Sequence, residues 1–430
     1  MSREMKDSGI EWIGEIPEDW EVVKLGIVAD ISTGNTLKDP DNIKYSKSEG
    51  VDWLKTNNLL GVDGVSNSSL KIKEQYISEA RLTNPRSVLV TCIGDIGKLG
   101  YTSKPVAFNQ QINSITFTKD IIYWKYGMYA LYSQREQQES LANGNVLKIL
   151  NRENQKKVVI TVPKDINKQI KISNALDKIC LYIRKLVDKT QLSIKELKKY
   201  KQSLITESVT NGIDPNVEMK DSGIEWIGMI PKHWTIKKVK YFLSESSVKN
   251  YPNETVLSLY RDYGVIPKDS RTDNHNVTSS DTSSYKLIEK NDVVINKMKA
   301  WQGSLGVSSF KGIISPAYYV YKIIDSDIYS HFLHYVLRNN LYLDEYRRIS
   351  SGIRIGQWDL EKKEFEKLLY PFPNSTSEQQ QIVQYLDKKI FTIDRLIEDK
   401  TKVIEELENY KKSLIYEYVT GKKKYKEGEQ

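Results

Sequence analysis

The feature of this sequence that most constrains its fold is an internal repeat. The segment Met5–Trp20, MKDSGIEWIGEIPEDW, recurs as Met219–Trp234, MKDSGIEWIGMIPKHW, with 13 of 16 positions identical and an offset of 214 residues. A second pair, Leu197–Thr210 and Leu407–Thr420, matches at 9 of 14 positions with an offset of 210 residues. Both pairs mark the edges of halves whose interiors differ. We therefore expect two copies of one fold related by approximate two-fold symmetry.

Each half ends in a segment whose pattern predicts a long helix. Neither Pro nor Gly occurs between residues 167 and 210, and apolar residues recur there in alternating steps of three and four. This spacing is typical of a coiled-coil seam, and it recurs 210 residues later. The predicted seam residues are Leu176, Ile179, Ile183, Leu186, Leu197, Tyr200 and Leu204 in the first helix, and Leu386, Ile393, Leu396, Val403, Leu407, Tyr410 and Leu414 in the second.

The two helices define the predicted architecture. A helix of about 40 residues is about 60 Å long, and two of them at matching places are expected to pack as an antiparallel pair. The predicted fold class is α+β, with two globular α/β domains in pseudo-two-fold repeat joined by a long antiparallel two-helix coiled coil. The far end of each helix should return to the repeated segment of the opposite domain. The expected boundaries are 1–165 and 213–376 for the domains, 166–212 and 377–424 for the helical spacers, and 425–430 for a polar tail.

Composition narrows the class of protein. The formal net charge of +8 permits nucleic-acid binding without requiring it. Cys92 and Cys180 are the only cysteines, so neither a disulfide framework nor a cysteine-based zinc site is expected. No apolar run approaches the roughly 20 residues of a membrane span, and the polar N-terminus lacks the apolar core of a signal peptide. We expect a cytoplasmic protein.

The sequence lacks the motifs of the catalytic classes considered. His331 and His334 fall on one helical face without an evident third ligand, so a helix surface is favoured over a metal site. Gly94–Lys98 is similar to a phosphate loop, but the first Gly is missing and Leu99 replaces the Ser or Thr that would hold magnesium. An Asn- or Asp-Pro-Pro-aromatic segment and a Gly-rich adenosyl-binding turn are also absent. We expect a non-catalytic binding protein with no metal or cofactor of its own.

Several segments resemble those of specificity subunits of type I restriction–modification enzymes. Asp7–Trp20 and its copy Asp221–Trp234 are similar to the start of that family's domains. Family-like segments inside the halves are Trp53–Asn57, Ser87–Lys98, Phe108–Asn113, Val256–Leu259, Tyr263–Ile266, Asp292–Met298 and Ile314–Tyr318. Pro371–Pro373 followed by Glu378–Ile382 resembles the family's entry into its helix. The first half departs there, because Lys168 stands before Gln169 where the second half has the acidic Glu378.

The resemblance implies a function and a set of partners. Two target-recognition domains would each bind one half of a bipartite, asymmetric double-stranded DNA site, and the helices would set the spacer between the halves like a ruler. The helices would also dock two modification subunits, which bind S-adenosylmethionine and methylate adenine. Restriction subunits would add ATP- and magnesium-dependent translocation and cleavage. This chain would direct those activities without an active site.

Candidate DNA-binding residues are Lys, Arg, Asn and Gln side chains near predicted turns. Lys and Arg neutralise phosphates, whereas Arg, Asn and Gln also recognise base edges. Each candidate has an alternative interpretation as a solvated surface charge or a loop amide. Trp301 could stack on a base, but a partly buried core residue is the favoured interpretation. The candidates are Lys55, Asn57, Lys98, Asn109, Gln110, Asn143 and Asn145 in the first domain, and Arg261, Lys297, Lys299, Arg347, Arg348 and Arg354 in the second.

Two other functions stay open from the sequence. The same bipartite architecture would serve a stand-alone DNA-binding regulator, which would bind its site tightly without a modification subunit. A coiled-coil scaffold joining two protein-binding domains would show no DNA affinity, and therefore no weakening of it by salt. A fused enzyme that modifies or cuts DNA itself is disfavoured by the missing motifs.

Overall fold

The computed structural model describes residues 4–39, 43–118, 120–261, 263–271, 278–279, 281–354 and 357–424, without the side chains of 353–357. The predicted tail 425–430 and the side chain of Arg354 therefore lie outside the described residues. The chain forms two compact units. Unit 1 comprises residues 1–190 with 402–430, and unit 2 comprises residues 191–401.

Unit 1 contains the first domain, which is built around a four-stranded sheet. Its strands are β1 Met5–Asp7, β2 Glu15–Pro17, β3 Trp20–Lys24, β4 Ala29–Thr33, β5 Tyr45–Ser46, β6 Val51–Leu54, β7 Lys71–Ile72, β8 Ser87–Thr91, β9 Leu99–Thr102, β10 Ala107–Phe108, β11 Ile112–Phe117 and β12 Val159–Pro163. The main antiparallel sheet has the order β4-β11-β8-β9, and a second sheet has the order β10-β6-β7-β5. All five residues of β8, SVLVT, are buried, as expected for a β-branched central strand.

The helices of the first domain follow its strands along the chain and lead into the first long helix. They are α1 Leu25–Val28, α2 Trp124–Ser133, α3 Arg135–Ser140, α4 Arg152–Gln155 and the 46-residue α5 Ile166–Asn211, with 3-10 turns at Thr56–Asn58, Gly61–Asp63 and Glu74–Glu79. Tyr126 and Tyr129 of α2 are buried in the core. The Tyr126 hydroxyl donates to the carbonyl of Thr161 on β12 at 2.8 Å, which ties the helix to the edge of the domain.

The second domain, in unit 2, repeats the first despite its different sequence. Its strands are β13 Met219–Asp221, β14 Met229–Pro231, β15 Thr235–Lys238, β16 Leu243–Ser246, β17 Leu257–Tyr260, β18 Gly264–Pro267, β19 Lys286–Ile288, β20 Val293–Asn296, β21 Leu305–Val307, β22 Gly312–Ile314, β23 Tyr318–Ile323, β24 Ser350–Arg354, β25 Gln357–Leu360 and β26 Leu369–Phe372. The main sheet has the order β16-β23-β20-β21, which is the order β4-β11-β8-β9 of the first domain. The predicted duplication is thus present in the fold of the divergent interiors.

The helices of this second half also follow the first. They are α6 Val239–Phe242, α7 Ser330–Leu337, α8 Leu343–Arg348, α9 Lys362–Phe365 and the 44-residue α10 Thr376–Val419, with 3-10 turns at Lys268–Ser270, Ala300–Gln302 and Asn340–Tyr342. The long helices begin and end close to the predicted spacers, whereas the compact units divide each of them near its middle. Among the described residues, no helix is both long and apolar enough to cross a membrane.

Each unit contains a segment of both long helices. In unit 1, Ile183 of α5 and Leu414 of α10 belong to one buried cluster with Ile13 and Trp20 of the repeated segment. In unit 2, Leu204 of α5 joins Ile393 of α10, Ile227 and Trp234 in the equivalent cluster. The first part of α5 therefore packs with the last part of α10, and the reverse holds in unit 2, as predicted for an antiparallel pair. The return of each helix end to a repeated segment is also confirmed.

The predicted seam residues are buried or half-buried at every seventh position, whereas several predicted residues between these positions are exposed. Leu176, Ile183, Leu204, Leu386, Ile393 and Leu414 are buried, and Ile179, Leu186, Leu197 and Leu407 are half-buried. The predicted seam residues that face solvent are Tyr200 (54% exposed), Leu396 (44%), Val403 (44%) and Tyr410 (55%). The residue one position later is less exposed in each case, namely Lys201, Ile397, Ile404 and Lys411. The seam steps thus alternate as four and three rather than three and four.

A buried glutamine fixes the start of each long helix. Gln169 of α5 accepts a hydrogen bond from the Tyr123 amide at 2.8 Å and donates to the carbonyls of Ile121 at 2.9 Å and Pro163 at 3.0 Å. Gln379 of α10 makes the same three bonds, to Tyr329, Asp327 and Pro373, at 2.8, 2.8 and 3.1 Å. Both side chains are fully buried. Each glutamine therefore joins its helix to the start of α2 or α7 and to the end of β12 or β26.

Candidate nucleic-acid interface

Several strand ends of the first domain meet at one edge. Strands β6 and β10 pair in parallel, with Leu54 opposite Phe108, and the Asn109 amide donates to the Leu54 carbonyl at 3.0 Å. The Cys92 amide, just beyond β8, donates to the Gln111 carbonyl at 2.8 Å. The segments that follow β6, β8 and β10 are therefore neighbours, although about 55 residues separate the first from the last in sequence.

The loop Asn143–Ile149 is attached to the same edge. Asn143 and Ile149 exchange two backbone hydrogen bonds of 2.9 and 2.7 Å, which close the loop into a small hairpin. The Gly94 amide donates to the Lys148 carbonyl at 3.0 Å, and the Leu150 amide donates to the Cys92 carbonyl at 2.8 Å. We call the set of segments 55–57, 92–98, 109–111 and 143–149 edge 1. It contains all seven predicted DNA-binding residues of the first domain.

At the β6 end of edge 1, some side chains face solvent and others hold the turn in its conformation. Lys55 and Asn57 are exposed, and the Lys55 ammonium lies 5.0 Å from the centre of the Trp53 ring. Asn58, which sequence reasoning missed, is buried and accepts a hydrogen bond from the Lys55 amide at 2.9 Å. Its amide group also donates to the Asn67 carbonyl at 3.2 Å. Asn58 therefore shapes the turn on which Lys55 and Asn57 are presented.

The β10–β11 turn shows the same division. Asn109 is buried, and its side-chain amide donates to Gln111 Oε1 at 3.1 Å while its carbonyl oxygen accepts from the Gln111 amide at 3.2 Å. Asn109 is therefore committed to the turn in this structure. Gln110 is exposed, and its Oε1 accepts a hydrogen bond from the Thr36 hydroxyl. Of these two candidates, Gln110 is the one that faces solvent.

The Gly94–Lys98 segment is a β-hairpin connection rather than a phosphate loop. It joins β8 to β9, with the Lys98 carbonyl accepting from the Thr91 amide at 2.8 Å. A phosphate loop would instead lead into a helix N-terminus. Lys98 is half-buried, and Asp95 of the same turn is paired with Arg135. The turn thus presents one lysine and one carboxylate that is already partnered.

The second domain brings Arg261, Lys297 and Lys299 to the equivalent edge. The Lys297 amide, beyond β20, donates to the Ala317 carbonyl in the β22–β23 turn at 3.2 Å, and the Leu360 amide of β25 donates to the Lys297 carbonyl at 2.9 Å. The β17–β18 turn contains Arg261, whose carbonyl accepts a hydrogen bond from the Arg338 guanidinium. Arg338 also donates to the Leu305 carbonyl of β21 at 3.1 Å. We call the set of residues 261, 263, 297–304, 315–318, 350–354 and 357–360 edge 2.

A cationic cleft of about 330 Å³ lies in edge 2. The Arg271 guanidinium carbon is 4.4 Å from the ring centre of Tyr263 and 5.8 Å from that of Tyr260. Three of the described residues that line the cleft are cations, and none of the described lining residues is a carboxylate. The lining residues are Leu259, Tyr260, Arg261, Tyr263, Arg271, Lys299, Gln302 and Ser304.

A buried lysine next to this edge was missed by sequence reasoning. Lys286, at the start of β19, is 7% exposed, and its ammonium donates to the Tyr318 carbonyl at 2.9 Å. Burial lowers the pKa of Lys286, and the nearby charge of Lys297 lowers it further. The two ammonium groups lie 5.8 and 4.6 Å from the ring centre of Tyr319. Among the described groups, no carboxylate forms an ion pair with Lys286 within 4 Å, and this concentration of positive charge suits an anionic ligand.

The remaining candidates of the second domain differ in their surroundings. Arg347 and Arg348 are exposed on α8 and form ion pairs with Asp344 at 3.5 Å and Glu345 at 2.9 Å. Their charge is thus partly balanced within the helix. Trp301 is half-buried as predicted, and its ring lies 5.1 Å from that of Trp358 on β25. The backbone of Arg354 belongs to β24.

The histidine pair on α7 is not a surface pair. His334 is half-buried, and its Nδ1 accepts a hydrogen bond from the Val307 amide at 3.2 Å. Burial lowers the pKa of His334 to about 4, so the ring is neutral at physiological pH. His331 is thus exposed on the helix surface, as predicted, whereas His334 is half-buried and hydrogen-bonded to β21. Among the described residues, no group of three His, Cys, Asp or Glu side chains is arranged to hold a metal ion.

The duplicated fold and its matching edges define the class of protein. The family described as the type I restriction modification DNA specificity domain matches this chain twice, at residues 17–198 and 231–409. These two matches cover most of the 430 residues. The chain therefore belongs to this family, and the family resemblance inferred from the sequence is confirmed.

Known relatives are similar over nearly the whole length. The putative type I restriction enzyme MjaX specificity subunit of Methanocaldococcus jannaschii is 26% identical over 441 residues, covering 95% of each chain. The MjaVIII specificity subunit of the same organism is 24% identical, covering 95% of this chain and 93% of its own. A chain from a type I R-M system structure has a TM-score of 0.67 at 14% identity, covering 94% of this chain and 98% of its own. The HsdS subunit of Thermoanaerobacter tengcongensis has a TM-score of 0.52 at 15% identity with the same coverage. These structures confirm the predicted fold class.

Proposed function

We propose that this chain is the sequence-specific DNA-binding subunit of a type I restriction–modification complex, with each domain recognising one half of a bipartite site. The observation that carries the proposal is the equivalence of edges 1 and 2. Edge 1 contains the segments that follow β6, β8 and β10, edge 2 contains those that follow β17, β20 and β22, and both present exposed Lys, Arg, Asn or Gln side chains. Phosphate contacts by the cations would position each domain, and the amides and arginines would recognise base edges.

The two edges are equivalent in position and different in chemistry. The turn after β6 presents Lys55 and Asn57, whereas the corresponding turn after β17 presents Arg261. The connection after β8 presents Lys98, whereas that after β20 presents Lys297 and Lys299. Different side chains at matching places favour different target sequences. The proposed DNA site is therefore bipartite and asymmetric.

The helices offer surfaces for the partner subunits. Leu181 and Phe391 are equivalent by the 210-residue offset and both are exposed, as are Tyr200 and Tyr410. Unit 1 carries Leu181 and Tyr410, and unit 2 carries Phe391 and Tyr200. Exposed apolar and aromatic side chains on helices are typical of protein interfaces. Because each unit presents the same pair of positions, we propose that two modification subunits dock there.

The chemistry of the complex is assigned to those partners. Modification subunits would bind S-adenosylmethionine and methylate adenine, and restriction subunits would use ATP and magnesium. The described residues of this chain include neither a metal cluster nor a phosphate loop. We propose a non-catalytic, cytoplasmic subunit that determines which DNA sequence its partners act on.

The direct test is methylome sequencing of cells with and without this chain. We expect methylated adenines in an asymmetric bipartite motif that disappears on deletion and returns on complementation. A variant with Lys55 and Asn57 changed to Ala should alter methylation at one half-site only, while the exposed Lys24→Ala change, at the opposite end of the sheet, should leave the motif intact. Methylation unaffected by deletion would contradict the proposal.

A second experiment separates this function from the regulator and scaffold alternatives. The purified chain with its modification subunit should bind the methylome-derived site and weaken as salt rises, with log affinity falling linearly with log salt concentration. A regulator would bind equally tightly without that subunit and direct no methylation. A protein scaffold would show no salt-dependent DNA affinity.

A further inference from the structure

The hairpin Asn143–Ile149 of edge 1 carries an apolar tip in solvent. Val146 is fully exposed (102%), Leu147 is 53% exposed and Ile149 is 43% exposed. Single exposed apolar residues need no special cause. Here three of them fall within one seven-residue loop that also presents Asn143 and Asn145.

The loop is held in its conformation before any ligand binds. Its two ends exchange backbone hydrogen bonds of 2.9 and 2.7 Å, and the Lys148 carbonyl is fixed by the Gly94 amide at 3.0 Å. Gly144 has φ +105°, and a Cβ there would lie 2.3 Å from the Leu147 carbonyl oxygen. Only glycine allows this close turn. A preformed loop loses little conformational entropy on binding, so its apolar contacts contribute more fully to affinity.

The charges around the tip identify the kind of surface that would cover it. No Asp or Glu occurs between Leu141 and Arg152, and Lys148 follows the two apolar residues directly. Lys148 is exposed, as is Arg152 just beyond the loop. An apolar tip flanked by cations suits the stacked bases and phosphates of a DNA duplex, and the backbone bonds to Cys92 and Gly94 make the loop continuous with edge 1.

We propose that Val146 and Leu147 form an apolar wedge that inserts between neighbouring base pairs in the half-site bound by the first domain. Apolar side chains that enter a base step unstack it and kink the duplex. Asn143 and Asn145, at the base of the wedge, then face base edges, and Lys148 faces the adjacent phosphate. This inference rests on the proposed DNA-binding function, and it predicts that the half-site contains a deformable step such as TA or CA.

The test uses the full chain in complex with its modification subunit and duplexes carrying 2-aminopurine. The probe is scanned through both half-sites at positions other than the methylated adenines, so that a flipped target base does not give the signal. With the wild-type chain, we expect fluorescence to rise at one step of the first domain's half-site. The Val146→Ser, Leu147→Ser double variant should lose this rise and bind about tenfold more weakly, which corresponds to about 1.4 kcal/mol.

Two controls make the result specific. Ile27→Ser changes a residue that is 73% exposed and precedes β4 at the end of the sheet opposite edge 1, and it should leave both affinity and fluorescence unchanged. The conservative variant Leu147→Met should retain the fluorescence rise. Signals in the half-site of the second domain should be the same in all variants, which shows that the complex remains folded.

Three outcomes would overturn the wedge. One is a double variant with wild-type affinity and fluorescence. Another is the absence of any fluorescence rise with the wild-type chain at these positions. A third is a DNA in which replacing thymine by uracil lowers the affinity while the 2-aminopurine signal shows no unstacking. That result would indicate that the loop contacts the thymine methyl group in the groove instead of entering a base step. If the wild-type complex instead bound DNA without sequence preference, the proposed function itself would be at fault.

Discussion

Replacing Gln169 by Met should release the start of α5 from the first domain. Met has a similar volume but cannot supply the three hydrogen bonds that Gln169 makes with Tyr123, Ile121 and Pro163. Each such bond contributes about 1 kcal/mol net, and each buried backbone group left without a partner costs about 1–3 kcal/mol. Allowing for local relaxation, we expect a loss of about 3–5 kcal/mol in the local stability of this junction.

Hydrogen–deuterium exchange measures this loss where it occurs. The Tyr123 amide donates to Gln169 in the native protein, so its exchange reports the opening of the junction. A loss of 3 kcal/mol corresponds to an increase in exchange of about a hundredfold, since about 1.4 kcal/mol is a factor of ten. The variant should therefore show fast exchange in peptides that contain residues 121–126, while the buried strand β8 keeps its protection.

The repeat offers both a replicate and a control for this experiment. Gln379→Met should accelerate exchange of the Tyr329 amide by a similar factor, because the three hydrogen bonds are the same in geometry. Gln381→Met, on the exposed side of α10, should leave that amide unchanged. An increase of less than tenfold at Tyr123 would refute the conclusion that this glutamine stabilises the junction.

Three further predictions concern the second domain and the turn after β6. Burial lowers the pKa of His334 to about 4, below its ordinary value of 6.5, so the free energy of unfolding should fall by up to about 3 kcal/mol as pH decreases from 6.5 towards 4. In urea unfolding between pH 4 and 7, His334→Asn should weaken this pH dependence, whereas the exposed His331→Asn should leave it unchanged. An equal pH dependence in both variants would contradict the assignment. If Lys286 neutralises one phosphate, Lys286→Met should reduce the steepness of the plot of log affinity against log salt concentration by about 0.9. Fluorescence anisotropy measures this slope, with Lys290→Met as the surface control. An unchanged slope would exclude the phosphate contact. Asn58→Ala should cost about 1–3 kcal/mol, since it leaves the Lys55 amide without its partner, and thermal unfolding of the variant indistinguishable from wild type would contradict that role.

The seam of the helix pair shows how far periodicity alone can predict packing. Positions such as Ile183 and Ile393 are buried as expected, because steps of three then four and of four then three reach the same seventh residue. The prediction failed between them because two apolar residues often stand side by side, as in Leu396-Ile397 and Val403-Ile404. A pattern of steps cannot choose between such neighbours, since the choice depends on the partner helix.

Lys411 illustrates the same limit more sharply. It is buried in unit 1 in place of the predicted Tyr410, and its ammonium pairs with Glu408 at 2.6 Å. A lysine can bury its aliphatic stem while its charged end reaches a partner. A pattern based on residue hydrophobicity predicts that Tyr410 is buried and Lys411 is exposed, which is the reverse of their burial in the structure. The error therefore follows from the chemistry of the two side chains.

The candidate interface was predictable at the level of turns and not at the level of individual amides. Asn57 and Asn58 are adjacent and chemically identical, yet the first is exposed and the second is buried in the turn. Asn109 and Gln110 divide in the same way. The backbone direction decides which of two neighbours faces solvent, and the sequence does not contain that direction explicitly. The convergence of these turns with the loop Asn143–Ile149 also depends on strand order, which the sequence did not provide.

The departure of the first half from the family's helix entry is explained by a reversal of charge beside the repeated tryptophan. Glu378 lies 2.8 Å from His233 and accepts a hydrogen bond from the Trp234 indole at 2.9 Å. At the equivalent place, Lys168 lies 2.5 Å from Asp19 and 5.9 Å from the centre of the Trp20 ring.

Both halves therefore keep a charged side chain on the repeated tryptophan and a polar partner for that side chain, although the sign of the charge differs. Exposed ion pairs of this kind contribute only about 0–1 kcal/mol, so their sign is free to change. The buried glutamine one residue later cannot be exchanged in the same way, because each of its three hydrogen bonds satisfies a backbone group. The identity of the repeat thus resides in the buried glutamine and tryptophan, and sequence departures beside them leave the geometry that presents edges 1 and 2 unchanged.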